Sequence, residues 1–428
     1  MNTVKLKFKS VSILALLAAL SGCSLEIDSE NDTGTSLPVE TNNKPAHIGA
    51  RPLFLVDQMS DGELKNKLAQ CKDNHFYKTD WSIGHRGASM MFPEHTKEAY
   101  QAAIDSGAGI VECDVTFTKD KQLVCRHAQC DLHTTTNILA VPELAAKCST
   151  PFTPADPQNG VNASAQCCTS DISLAEFKTL CGKMDGANNQ ATTAEAYMDG
   201  TAKWRTDLHS TCATLMTHKE SIEMFKQAGV KMTPELKAPA VTMPYDGMSQ
   251  QDYAQKMIDE YIEAGVSPEQ VFAQSFNLAD VEYWVNSASD FGKQAVYLDD
   301  RYDTQDGFNP QNTDSFSPSM AELKSRGVEI IAPPLWVLVT VDADNKIIPS
   351  EYAKAANAAG LKIITWSLER SGKLSEGADW YYQSIAPAIQ NEGVVYQLLD
   401  VLAKDIGVIG VFSDWPATVT YYANCMEM

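Results

Sequence analysis

The chain has 428 residues, 44% of them hydrophobic and 21% charged, a length and composition able to bury a sizeable core within one large domain. Its formal net charge of −21 argues against a nucleic-acid partner, whose phosphates attract basic surfaces. A small phosphate ester is not excluded, because a bound divalent cation reverses the sign locally.

The first element is an export signal. Lys5, Lys7 and Lys9 precede an apolar run from Val11 to Leu20 that is too short to span a bilayer and reads as a signal peptide. The run leads into Leu20-Ser21-Gly22-Cys23, which resembles a bacterial lipoprotein processing site. That resemblance implies a signal over residues 1–23, ending at Cys23 as the lipid-bearing residue; the plainer reading is an ordinary signal with an incidental cysteine. Ser24 rather than aspartate favours, by the same resemblance, the outer membrane. The protein is thus expected to be exported and lipid-anchored to the bacterial envelope, on its periplasmic or surface face. Residues 24–50 are rich in Ser, Asn, Asp, Glu, Thr and Pro and read as a flexible tether, leaving 51–428 as one domain.

From there strand and helix patterns alternate. Strand candidates are 81–86, 109–116 with an extension at 122–127, 230–235, 271–275, 295–299, 329–332, 361–367 and 408–413. Helical stretches include 95–106, 219–228, 250–264, 319–326, 350–359 and 392–404. Eight such units argue for an α/β fold, a parallel sheet closed into a (β/α)8 TIM barrel. No internal repeat is visible, and the connection between the last two strands carries an extra loop, 369–391, with Trp380, Tyr381 and Tyr382.

Polar residues gather at the strand ends. The first strand ends in Ile83-Gly84-His85-Arg86-Gly87 and is followed by Pro93-Glu94-His95-Thr96. In Gly109 to Phe117, Ile110, Glu112, Asp114 and Thr116 point one way and Val111, Cys113, Val115 and Phe117 the other. Paired carboxylates on the polar face suit a hard divalent cation, although a solvent-facing strand bearing two acids has the same pattern. Leu123 to His127 reads as a short strand ending in a histidine, and in Val230 to Lys237 the residues Lys231, Thr233, Glu235 and Lys237 share a face. Histidines move protons near neutral pH, a metal neutralises phosphate and cationic side chains grip it. The set is equipped for metal-assisted cleavage of an anionic ester.

The segment 128–214 breaks the rhythm. It follows the second strand, so it is expected to rise from the end of the barrel that carries the polar residues. Pro, Ala, Ser, Asn and Thr dominate it, with modest apolar runs such as Ile172 to Leu180. The chain has 11 cysteines; without Cys23 ten remain, an even number that in an oxidising compartment reads as a disulfide framework. Six of them, Cys130, Cys148, Cys167, Cys168, Cys181 and Cys212, fall in this insertion and are expected to staple it. Adjacent Cys167 and Cys168 should bridge to different partners. Cys113 is either part of the framework or a buried thiol. The insertion is either a cap that shapes the pocket or a surface addition remote from it.

Three blocks, HRGASMMFPEHT at 85–96, VECDVTFTKDKQLVCRH at 111–127 and PELK at 234–237, resemble the glycerophosphodiester phosphodiesterase family, within the larger group of phospholipase-C-like barrels. Weaker echoes at Gln274-Ser275-Phe276, Thr365-Trp366-Ser367 and Gly410 to Pro416 carry the resemblance to the C-terminus. It implies metal-dependent hydrolysis of glycerophosphodiesters to glycerol 3-phosphate and an alcohol. Glu112, Asp114 and Glu235 would hold one divalent cation, Ca²⁺ or Mg²⁺, and His85 and His127 would form the acid and base pair. Arg86 and Lys237 would contact the substrate, and Trp366, which ends a strand at the site end, either walls the substrate pocket or fills the core. The implied partners are a small-molecule glycerophosphodiester and, through the anchor, a membrane; no protein partner is inferred. Three positions depart from the family pattern: His95 stands where the family usually has Asn, Ala128 where Asp is common and His133 where Arg is common.

Other residues carry open readings. His47 and His75 read as surface residues, Lys119 and Lys121 as solvated turn residues, and His209 and His218 as structural. His95 is expected to begin a helix, with a substrate contact as the alternative, and Asp414 either contacts the rim of the site or caps a turn. Two other functions remain in view: a phospholipase-C-like or phospholipase-D-like enzyme acting on intact lipids, and a non-catalytic surface binding lipoprotein.

Overall fold

The computed structural model describes residues 44–428; the expected signal, Cys23 and most of the expected tether lie outside them. Nine strands form one sheet: β1 (Thr79–Gly84), β2 (Ala108–Phe117), β3 (Leu123–Cys125), β4 (Lys231–Leu236), β5 (Gln274–Ser275), β6 (Val296–Leu298), β7 (Ile330–Ala332), β8 (Lys362–Leu368) and β9 (Gly410–Ser413). All but β3 run parallel, and β1 pairs with both β9 and β2, which closes an eight-stranded barrel. A helix follows each barrel strand, as in Lys97–Asp105 after β1, Gln250–Glu263 after β4 and Pro416–Cys425 after β9.

The alternation predicted for β2 becomes two buried faces, as a parallel barrel requires. Ile110 joins Ile83, Val296, Ile330, Ile364 and Phe412 inside the barrel, while Val111, Val115 and Phe117 pack outward against the helices. Side-chain capping fixes where those helices begin. Thr96 accepts the Ala99 N–H at 3.3 Å, so the first helix starts at Lys97, and His95, expected to begin it, lies ahead of the cap at φ 55°. Ser249 and Asp252 form a reciprocal capping box that starts the helix after β4. The stretch expected as one helix over 392–404 is α-helical from Val394 to Val401 and continues as a π turn to Ile406.

The expected strand 122–127 is shorter and antiparallel. β2 extends past its neighbours, and β3 folds back on it with Val115 opposite Cys125. Continuing that register sets Arg126 against Asp114, whose carbonyl accepts its N–H at 2.8 Å. The hairpin therefore returns the chain to the barrel mouth two residues before His127 leaves it. Cys113 is no free thiol: it pairs with Cys125 across the same hairpin.

The insertion has more of a core than its composition suggests. Residues such as Ile138, Leu144, Phe177 and Tyr197 form a buried cluster that also takes in Val124 and Leu215 from its two roots. Cys130–Cys168, Cys148–Cys167 and Cys181–Cys212 staple it, and the adjacent cysteines take different partners. Closing 31 residues through the last of these contributes about 3 to 4 kcal/mol by restricting the unfolded chain. Cys71–Cys425 ties the segment before β1 to the final helix. Ala46 and His47, inside the stretch read as tether, donate backbone hydrogen bonds to Phe76 and Asp105, each at 2.7 Å.

Candidate active site

The C-terminal ends of the barrel strands surround a cleft of about 370 Å³ lined by His85, Arg86, Glu112, His127, Glu235, Lys237 and Trp366, with Phe276 and Tyr381 beside them. Asp114 lies directly behind, 1% exposed. Every site residue expected from the sequence, apart from Cys23, is thus brought to one place.

The turn after β1 is built for close approach. Gly87 has φ 90°, and a Cβ there would lie 2.6 Å from the backbone of Ala99 on the first helix. Arg86 itself is left-handed at φ 58°, a conformation a non-glycine residue holds only where its surroundings enforce it. Its N–H donates to Glu112 Oε2 at 2.9 Å, and its Nη1 pairs with Glu94 Oε2 at 2.9 Å. Buried Arg86 Nε has no hydrogen-bond partner within the protein.

Three carboxylates converge below this turn. One oxygen each from Glu112, Asp114 and Glu235 lies within 4.8 Å of the other two, and all three residues are buried. Gln274 on β5 donates to Glu112 Oε1 at 2.9 Å. His95 Nε2 donates to Asp114 Oδ2 at 2.9 Å and its Nδ1 accepts from the Tyr100 hydroxyl at 3.0 Å. Completely buried and outside the cleft lining, His95 supports Asp114. Asp114 Oδ1 is left without a partner. Lys237 Nζ lies 2.5 Å from Glu235 Oε1.

Electrostatics at this cluster favour a cation. Burial and the neighbouring Asp114 and Glu235 push the Glu112 carboxyl well above its usual range. Burial likewise lifts Glu235 to about 7, with Asp114 adding and Lys237 opposing. At Asp114 burial is outweighed by His95 and Lys237, and the group is held low. Three buried carboxylates can all be ionised together only beside a compensating charge. The orphaned Asp114 oxygen and an all-oxygen donor set fit a hard divalent ion such as Ca²⁺ or Mg²⁺.

The two histidines differ in their support. Asp414 at the end of β9 meets His85 Nδ1 at 2.6 Å through Oδ1, and its Oδ2 accepts from Arg370 Nη1 at 2.8 Å. The aspartate thus backs His85, a role neither sequence reading of it contained. Since the carboxylate can only accept, Nδ1 carries the proton and Nε2 turns its lone pair to the cleft. Burial takes the His85 imidazole down to about 4 in spite of Asp414, so the ring is neutral near pH 7. Burial, then Arg86 and Lys237, hold His127 well below the ordinary imidazole range.

An aromatic wall completes the cleft. Trp366 donates its indole N–H to Ala332 O at 2.8 Å, stacks on Trp380 with centroids 5.8 Å apart, and meets Phe276 edge-on at 5.9 Å. The other histidines lie outside the cleft lining. His218 Nδ1 pairs with Glu260 at 2.9 Å, His209 stacks on Phe92 at 4.7 Å, and His133 Nδ1 accepts the Cys167 N–H at 3.3 Å. The supporting residues Glu94, His95, Gln274, Arg370 and Asp414 were not assigned these roles from sequence.

Comparison with known proteins agrees with this arrangement. The model of the Glycerophosphoryl diester phosphodiesterase family matches residues 85–418. A protein of Arthroderma benhamiae named "Extracellular protein" is 49% identical over 250 residues, which are 57% of this chain and 100% of that one. The glycerophosphodiester phosphodiesterase GDPD6 of Arabidopsis thaliana is 30% identical over 138 residues, 32% of this chain and 33% of its own. A solved protein of Silicibacter pomeroyi DSS-3, assigned provisionally by name to glycerophosphoryl diester phosphodiesterases, superposes with a TM-score of 0.52 at 16% identity, covering 81% of this chain and 93% of its own. At that identity the likeness speaks for the barrel alone.

Proposed function

We propose a reaction from one premise: this chain belongs to the Glycerophosphoryl diester phosphodiesterase family. The reaction is hydrolysis of a glycerophosphodiester to glycerol 3-phosphate and an alcohol such as choline, ethanolamine or glycerol. The observation that carries it is the convergence of three buried carboxylates, one with an unpartnered oxygen, on a cleft shared by His85, His127, Arg86 and Lys237.

Glu112, Asp114 and Glu235 are the ligands of one divalent cation, Ca²⁺ or Mg²⁺. When bound, such an ion supplies charge neutralisation at the phosphate and acidifies a hydroxyl beside it. His85, held by Asp414 through Nδ1 and with the Ser367 hydroxyl 3.5 Å from its Nε2, takes the proton of the attacking hydroxyl, which by family resemblance is the glycerol 2-OH. The new P–O bond forms as the bond to the alcohol breaks, and His127 delivers the proton that leaving oxygen needs. Anionic phosphate between Arg86 and Lys237 offsets the two charges that add to burial in lowering His127, which favours the protonated ring. Water then opens the cyclic phosphate by the reverse proton transfers. Arg86, through its unpartnered Nε, and Lys237 hold the phosphate oxygens, and Trp366 walls the alcohol side.

Purified protein offered glycerophosphocholine, glycerophosphoethanolamine, glycerophosphoinositol and intact phospholipid is expected to release glycerol 3-phosphate from one or more of the first three, and to lose that activity reversibly with chelator. Turnover of intact phospholipid alone would replace this reading with the lipase one.

The protein acts outside the cytoplasm in this proposal, anchored through lipid on Cys23. Five disulfides among the described residues suit an oxidising compartment, and the name of the Arthroderma benhamiae relative supports export. Cys23→Ala is expected to give unlipidated, mislocalised protein of unchanged specific activity, read by membrane fractionation and mass spectrometry. Acylated, membrane-bound Cys23→Ala would refute the anchor.

A further inference from the structure

The loop closed by Cys181–Cys212 belongs to the insertion, yet its polar residues run into the active site. Arg205, whose side chain is 5% exposed, donates to the carbonyl of Ser89 in the loop after β1 and pairs with Asp185. The other oxygen of Asp185 lies 3.9 Å from Arg370 Nη2. Arg370 Nη1 donates to Asp414 at 2.8 Å, and Asp414 meets His85 Nδ1 at 2.6 Å. An unbroken series of charged contacts therefore links the insertion to the ring we read as the base.

Two features make this more than an anchoring contact. The backbone beside Arg370 is already fixed without the insertion, since Glu369 is gripped by Arg51 at 2.7 Å and by the Thr418 hydroxyl at 2.6 Å. What that grip leaves undetermined is where the Arg370 guanidinium points. Glu94 competes for it at 3.8 Å, already satisfied by Arg86, and Arg86 repels it. Asp185 is the remaining carboxylate facing it: Nη2 sits between Glu94 at 3.8 Å and Asp185 at 3.9 Å, so Asp185 counterbalances the pull of Glu94 while Nη1 stays on Asp414. Trp204 lies flat against the same loop, where a Cβ on Gly372 would stand 3.1 Å from its indole ring.

We propose that Asp185 and Arg205 are positioning residues for His85: the disulfide-closed loop of the insertion holds Arg370 on Asp414 and thereby fixes the imidazole for proton abstraction. This rests on the reading of His85 as the base. Without Asp185 the guanidinium loses its hold on the insertion side, Asp414 loses the fixed donor that orients it, and the ring gains rotational freedom. Substrate binding, which uses Arg86 and Lys237, is left alone.

The test is a double-mutant cycle on the full disulfide-bonded chain, with a nitrophenyl ester of glycerophosphate so that slow variants stay measurable. Asp185→Asn is expected to lower kcat about 5- to 30-fold, the usual range of such couplings, with KM within twofold. Asp185→Glu should recover most of the loss. In an Asp414→Asn background Asp185→Asn should cost nothing further, because the link it acts through is gone. An equal loss in both backgrounds, a rise in KM at constant kcat, or no loss at all would overturn the proposal. Arg205→Lys, which keeps the charge but not the two-sided geometry, repeats the cycle if Asp185→Asn does not fold. His85→Ala in the same assay separates the two readings: if it is inactive while Asp185→Asn is normal, the positioning role alone fails, and if it is active the assignment of the base fails first.

Discussion

Glu235→Ala is expected to lower turnover by at least ~10²-fold and to weaken divalent-cation binding by a similar factor. The substitution does two things at once. It removes one of the three oxygens that converge within 4.8 Å, and it strips Lys237 of the carboxylate 2.5 Å from its ammonium, leaving a free positive charge beside the ion site. Glu235→Gln, which keeps the volume and an acceptor for Lys237, should bind the ion better than the alanine variant but worse than wild type. Calorimetric titration of chelator-treated protein with Ca²⁺ and with Mg²⁺, alongside kcat, measures both effects. Full activity of metal-free wild type would end the cation proposal.

The same cluster predicts a pH dependence of stability. Glu235 has a folded-state pKa raised to about 7 from an ordinary 4.5, so the folded protein holds its proton more tightly than the unfolded chain does. The Glu235 contribution to the stability of cation-free protein should therefore fall as pH rises from about 4.5 through about 7. His85 and His127, kept neutral by the fold, contribute in the opposite sense up to about 6.5, so the Glu235 part is read as the difference between wild type and Glu235→Gln. Thermal melts of the two proteins in chelator across that window measure the difference, which should fall as pH rises. A difference that is flat across the window would contradict the raised pKa.

The parts of this site that were legible in the sequence are those written along one strand. Glu112 and Asp114 share a face because side chains alternate with period two, and Glu235 and Lys237 obey the same rule on β4. His85 and Arg86 were marked by the glycine that follows them, which the close approach to Ala99 requires. What stayed hidden depends on neighbours across the barrel. Gln274 meets Glu112 over 162 residues, and Asp414 meets His85 over 329, separations at which no local pattern speaks. His95 looked like a helix start because it precedes a good helical run. Thr96 is the better cap, and the left-handed turn ahead of it aims the imidazole inward at Asp114. In the insertion, apolar residues are scattered too thinly for periodicity to register, yet Ile138, Leu144, Phe177 and Tyr197 meet once disulfides and two short antiparallel strand pairs bring them together.

His127→Ala should be severely impaired on glycerophosphocholine, by ~10² to 10⁴-fold, and much less on a nitrophenyl ester of glycerophosphate. A choline or glycerol alkoxide is a poor leaving group and needs a proton as the P–O bond breaks, whereas nitrophenolate leaves without one. His85→Ala should be impaired on both substrates, because the attacking hydroxyl must lose its proton whatever departs. The geometry gives this assignment its direction. His85 is backed by Asp414, the arrangement of an oriented base, while His127 shares the cleft with Arg86 and Lys237, whose charge an incoming phosphate offsets. Running both variants on both substrates decides between the two histidines: the acid is the one whose loss the good leaving group rescues. Rescue of His85→Ala in place of His127→Ala would exchange the roles, and equal losses everywhere would mean that neither ring protonates the leaving oxygen.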